Sequence, residues 1–193
     1  MRILFFTGSR GEWGYIRPIL RLIEKDPELE YELCVTNMHL LPNFGLSEEE
    51  IKNDGFEIKH RVFMSLDSYN HISQVKSLGI FLTSMADILA SNDYDFIMLA
   101  GDRGEQLMGA IAGAYTYIPV GHIQAGEVSG NIDESIRQGV QNDIEKQLRK
   151  LNKIIFQSDF KNKQTFDSDD LLRLRSHFLS SIKVKETDIN ILC

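Results

Sequence analysis

With 193 residues, 42% of them hydrophobic and 25% charged, the chain has the composition of a globular protein with material for one sizeable core. It is too short for two nucleotide-binding domains. A formal net charge of −7 and a sequence pI near 5.2 disfavour nucleic acid and anionic membrane as main partners, because both demand clustered Lys and Arg.

The opening apolar run at residues 3–6 is shorter than the core of a signal sequence and predicts a strand that breaks at once into Thr7-Gly8-Ser9-Arg10. A helix is predicted over residues 13–25, with Ile16, Ile19, Leu20 and Ile23 on its apolar side, and a second strand over residues 31–36. Within that strand Leu33-Cys34-Val35 reads as a buried, inert thiol; Cys193, the other cysteine, ends the chain, and the two suggest neither a disulfide framework nor a metal site. A short helix at Glu48–Asn53 and a third strand at residues 56–61 follow. Next come a longer helix over residues 73–90, a strand at Phe96–Ala100, a helix over residues 105–115, a strand over residues 118–123 and a helix from about residue 132. No stretch approaches the roughly 20 apolar residues of a membrane span, and a reducing cytoplasm is the expected address.

Strands that are continuous apolar runs, alternating with helices, predict an α/β fold with a parallel, Rossmann-like sheet covered by helices on both faces. The composition shifts near residue 138, from Gly and Ala towards Lys, Asn, Gln, Asp and Ser. Residues 1–137 are therefore expected to form the Rossmann-like domain, and residues 138–193 a divergent helical tail with room for one more β-α unit at residues 153–156.

Two segments at strand ends carry candidate chemistry. Between the first strand and helix, Thr7-Gly8-Ser9-Arg10-Gly11-Glu12-Trp13-Gly14 offers small residues for close backbone approach to a phosphate and a fixed charge at Arg10. The glycine spacing is not G-x-G-x-x-G, the second strand ends without an acid for a ribose, and no Walker lysine follows, which disfavours NAD and ATP. A plain strand-to-helix turn fits the same residues.

The second segment begins at Gly101-Asp102-Arg103, directly after a strand, where an ion pair or an Asp helix cap is the ordinary reading. The next strand ends His122-Ile123-Gln124-Ala125-Gly126-Glu127, and alternation puts His122 and Gln124 on one face. Asn131 and Glu134 have the spacing of a capping box, and Asp133 and Arg137 lie four apart on one helical face. Each residue alone has a structural explanation; the convergence of Arg10, Asp102, Arg103, Glu127, Asp133 and Arg137 on three strand ends points to a site.

These segments, together with His122 through Arg137 read as one run, resemble the hydrolysing UDP-N-acetylglucosamine 2-epimerases, including members serving sialic-acid-type sugar pathways. The resemblance covers about residues 1–137. It implies two Rossmann-like domains, as in B-type glycosyltransferases, of which this length holds only the first. It also implies an enzyme that eliminates UDP from carbon 1 as a proton leaves carbon 2. The glycal intermediate is then hydrated to N-acetylmannosamine without a metal or redox cofactor. By this resemblance Asp102, Asp133, Glu127 and Arg137 form the catalytic set, and Gly8, Arg10, Gly14, Arg103, His122, Gln124 and Glu134 bind substrate. The implied partners are a UDP-sugar and either a second copy of the chain or a complementing C-terminal domain.

The sequence departs from the family's pattern in two stretches. Many members carry a catalytic glutamate where this chain has Gln124, and a neutral amide cannot exchange a proton; Glu127 is the acid left to substitute. After Arg137 the chain runs Gln138-Gly139-Val140-Gln141-Asn142 instead of the family's His-Ala continuation. Two alternatives to an incomplete epimerase therefore stay open. One is an inactive UDP-sugar-binding or regulatory module, the other the N-terminal domain of a B-type glycosyltransferase.

Overall fold

A computed structural model describes residues 1–66 and 70–124. The expected segments at Glu127, Asp133, Glu134 and Arg137, and the tail over residues 138–193, lie outside the described residues.

Five strands, β1 (Arg2–Thr7), β2 (Glu30–Thr36), β3 (His60–Val62), β4 (Phe96–Ala100) and β5 (Val120–Ile123), alternate with helices α1 (Arg10–Ile23), α2 (Glu48–Asn53), α3 (His71–Ser91) and α4 (Gly104–Thr116). All pair in parallel, in the order β3-β2-β1-β4-β5. The order reverses direction between β1 and β4, and in such sheets ligands bind beyond the strand ends at that switch point.

Because side chains alternate along a strand, each strand supplies both layers of core. Ile3, Phe5, Leu33, Val35, Phe96 and Met98 pack with Trp13, Ile16, Leu20 and Ile23 of α1. On the opposite face Leu4, Phe6, Cys34, Ile97 and Leu99 pack with Phe81, Met85 and Leu89 of α3 and with Ala110 and Ala112 of α4. The buried residues of α3 (Ser73, Ser77, Phe81, Met85 and Leu89) recur every fourth position, a single stripe against the sheet. Asn70 caps this helix, its Oδ1 accepting the Ser73 backbone N–H at 2.8 Å.

The covered parallel sheet is the architecture expected from the apolar runs, with three local differences. Helix α1 starts at Arg10, so Gly11 and Gly14 are helical and not part of a loop. Ser9 sets this start, since its Oγ accepts the Glu12 N–H at 3.4 Å. Strand β3 is confined to His60–Val62, because it pairs only with the last residues of β2. Phe56 and Ile58, within the predicted strand, are instead buried in the approach to it. Strand β5 begins at Val120, after Pro119, whose ring leaves no N–H for a ladder. Among the described residues no helix is long and apolar enough to cross a membrane.

Candidate functional site at the strand ends

The carboxyl ends of the strands are joined by a polar network that begins at Gly8, one residue past β1. Its N–H donates to Glu12 Oε2 at 2.5 Å, and its carbonyl accepts the Met38 N–H at 2.9 Å from the segment after β2. The third side of Gly8 faces α4: a Cβ there would lie 2.1 Å from Glu105 Oε1. That oxygen also accepts from Asn37 Nδ2 at 2.9 Å and from Arg103 Nε at 3.2 Å. Asn37 Oδ1 in turn accepts from Ser65 Oγ at 3.1 Å, beyond β3. Across the switch point, Gly101 turns the chain out of β4 with φ +86, a conformation that favours glycine, and its carbonyl meets His122 Nε2 of β5 at 2.5 Å.

Two buried carboxyls therefore sit at the switch point. Glu12 and Glu105 are 3% and 2% exposed, and the fully buried Gln106 side chain lies beside the Glu12 carboxyl. Burial, reinforced by the neighbouring Glu105, pushes the Glu12 carboxyl up to about 8, against the opposing pull of the Gly8 N–H, Arg103 and the Gln106 amide. Neither glutamate was singled out from sequence. The readable signal for Glu12 was the Ser9-x-x-Glu12 spacing of a capping box, here with the carboxylate reaching back to Gly8.

Of the residues expected to act, Asp102 and Arg103 lie half-buried in the turn between β4 and α4, on the same edge as Gly8. Arg103, not Asp102, occupies the N-cap position of α4, with extended backbone and no side-chain cap bond, so the helix-cap account of Asp102 does not hold. Arg10 is exposed on the first turn of α1, with Nε 2.6 Å from Glu50 Oε1 and Nη1 3.3 Å from the Phe44 carbonyl. Gly14 is exposed in the second turn of α1, away from the strand end. His122 is buried at the end of β5. Gln124 has left that strand with φ +64, so alternation no longer fixes its side chain on the face of His122. The structure thus brings together Gly8, Asp102, Arg103 and His122 with the unforeseen Glu12 and Glu105.

A further buried polar set lies under the network. His39 is held between Thr7 Oγ1 at 3.0 Å and Ser47 Oγ at 2.7 Å, and burial lowers its pKa to about 4, leaving a neutral imidazole. Among the described residues no three His, Cys, Asp or Glu side chains are grouped as a metal site requires.

Comparison with known proteins agrees with this architecture. Residues 21–143 match the UDP-N-acetylglucosamine 2-epimerase family. The chain is 35% identical over 139 residues to a UDP-N,N'-diacetylbacillosamine 2-epimerase (hydrolyzing) of Legionella pneumophila, covering 72% of this chain and 37% of that protein. It is 36% identical over 140 residues to the polysialic acid biosynthesis protein P7 of Escherichia coli, covering 72% of this chain and 36% of that one. In fold it resembles the UDP-GlcNAc 2-epimerase of Neisseria meningitidis, crystallised bound to UDP-GlcNAc. The TM-score is 0.64 at 20% identity, over 74% of this chain and 38% of that one. The chain spans a little over a third of the length of these relatives. The parallel sheet, the switch-point turns and the match over residues 21–143 together place the chain in the UDP-N-acetylglucosamine 2-epimerase family.

Proposed function

We propose that this chain carries the acid–base rim of a hydrolysing UDP-sugar 2-epimerase acting in the cytoplasm, and that the uridine is held by a complementing C-terminal domain. The observation that supports this most is the placement of Asp102 and Arg103 in the turn after β4, across the switch point from the Gly8 turn. In this reading Asp102 and Asp133 exchange protons at carbon 2 and during hydration of the glycal. Arg103 and Arg137 stabilise the departing diphosphate, with Arg10 at the outer rim after release from Glu50. Gly8 lets the backbone approach the substrate, with Gly14, His122, Gln124 and Glu134 lining the rest of the site and Glu127 supplying a further acid. The sugar is N-acetylglucosamine or its 4-acetamido-deoxy analogue, in line with the names of the relatives.

The test is UDP release from both UDP-sugars, by the chain alone and by the chain mixed with the C-terminal half of a full-length relative. Expected are silence alone, turnover in the mixture, and loss of that turnover in Asp102→Asn. Turnover that Asp102→Asn leaves unchanged would refute the assignment.

The amide of Gln124 favours a second reading, an inactive UDP-sugar-binding module. Calorimetric binding of UDP-N-acetylglucosamine by the mixture, without turnover, would favour it.

A further inference from the structure

We propose that Glu12 is a positioning residue for this site: with Glu105 on the other side of Gly8, it clips the Gly8 turn to the Gly101–Arg103 turn. The proposal rests on the reading of this rim as an epimerase site, but the clip is a property of the chain and is testable without turnover.

Three contacts define the clip. Glu12 Oε2 takes the Gly8 N–H at 2.5 Å, and the Glu12 side chain lies against Gly101, where a Cβ would be 3.3 Å from Glu12 Cγ. Glu105, from α4, fills the other side of Gly8 and is held by Asn37 and Arg103. The loop after β1 is thus gripped by one glutamate from α1 and one from α4. The charged and titratable groups on the surrounding elements are Glu105 and Arg103 of α4 and its cap, Asp102 of the same turn, His39 beyond Thr7, and His122 behind Gly101.

Burial, with the Glu105 carboxyl alongside, raises the Glu12 carboxyl, so Glu12 keeps its proton at neutral pH. While Glu12 is neutral the loops stay together. When it ionises, an unscreened charge is left in a buried site against Gly8 and Glu105, and the clip loosens. The sign follows from a folded-state pKa near 8, above the ordinary 4.5. The folded chain holds a proton that the unfolded chain has lost, so rising pH between these values weakens the native state.

The experiment uses the full chain. In ¹⁵N–¹H spectra recorded from pH 6 to 9.5, the Gly8 amide should lie far downfield and move with a midpoint near 8. Glu12→Gln, which keeps a carbonyl acceptor, should abolish that movement; Glu105→Gln should shift the midpoint down. A Gly8 amide that does not titrate, or one that titrates alike in Glu12→Gln, overturns the clip. If Glu12→Gln fails to fold, the wild-type titration and its response to Glu105→Gln decide alone.

In the complemented assay, kcat should fall about tenfold for each pH unit above the midpoint, with KM little changed, and Glu12→Gln should remove that limb. A profile unchanged in Glu12→Gln overturns the positioning role. Titration of Gly8 with a mixture that stays silent sinks the epimerase reading and leaves the clip standing.

Discussion

Replacing Gly8 by Ala tests the strand-end network most directly. The added Cβ would lie 2.1 Å from Glu105 Oε1, 3.1 Å from its Cδ and 3.2 Å from the Asn37 Cβ, distances at which something must move. Gly8 carries no positive-φ requirement, so crowding is the dominant cost. The carboxylate is not a free end that swings aside, because Asn37 Nδ2 and Arg103 Nε hold it. Overpacking a fitted site costs about 1–3 kcal/mol, and a hydrogen bond to a charged group contributes about 1.5–3 kcal/mol. Losing one such bond with the crowding gives about 2.5–6 kcal/mol, a large share of the roughly 5–15 kcal/mol that stabilises a typical domain. Urea unfolding followed by the fluorescence of Trp13, the single tryptophan and a buried one, measures it. The double variant Gly8→Ala/Glu105→Ala should recover part of the loss, with a coupling of about 2 kcal/mol or more in the cycle. A Gly8→Ala change below about 0.5 kcal/mol, or strict additivity, would refute the reasoning.

Three more outcomes are expected. At the opposite end of the sheet Glu32 accepts hydrogen bonds from Arg2, His60 and Tyr94; burial alone would raise its pKa, but these donors hold it at about 2. Its depressed pKa contributes stability above the ordinary carboxylate value, lost as pH falls towards 2. Glu32→Gln should therefore be less stable than wild type near pH 6, with the gap closing as the pH is lowered from about 5 in acid-unfolding curves. Burial pushes the Cys34 thiol up to about 12, so iodoacetamide should modify it only when the chain unfolds; mass spectrometry of native samples reads this, and rapid native labelling would contradict the packing. Finally, Gln124→Glu should raise UDP release in the complemented assay if the neutral amide limits proton transfer; a rate unchanged across the pH range would remove Gln124 from that role.

The layered parallel sheet was legible because burial on both faces leaves a direct mark on sequence. Residues of the Phe96–Ala100 run are apolar at every position, whichever face they meet, and such runs flanked by helices have few other uses. The breaks that end the runs, Gly8 after β1 and Gly101-Asp102 after β4, were equally visible, because glycine and charged residues interrupt an apolar run. The short β3 was not, because its length depends on how far β2 extends beside it. The side-chain direction of Gln124 was not legible, because one residue with φ +64 ends the alternation from which it would be read.

What the sequence by itself determined is the architecture of this chain and the family to which it belongs; both are written in local periodicity and in ordered short motifs. What only the tertiary structure decided is the grip of Glu12 and Glu105 on Gly8. The two glutamates stand on different helices, and each has an ordinary local reading as a first-turn acid. They become neighbours because the strand order places β4 beside β1, a long-range pairing that leaves no period in the sequence.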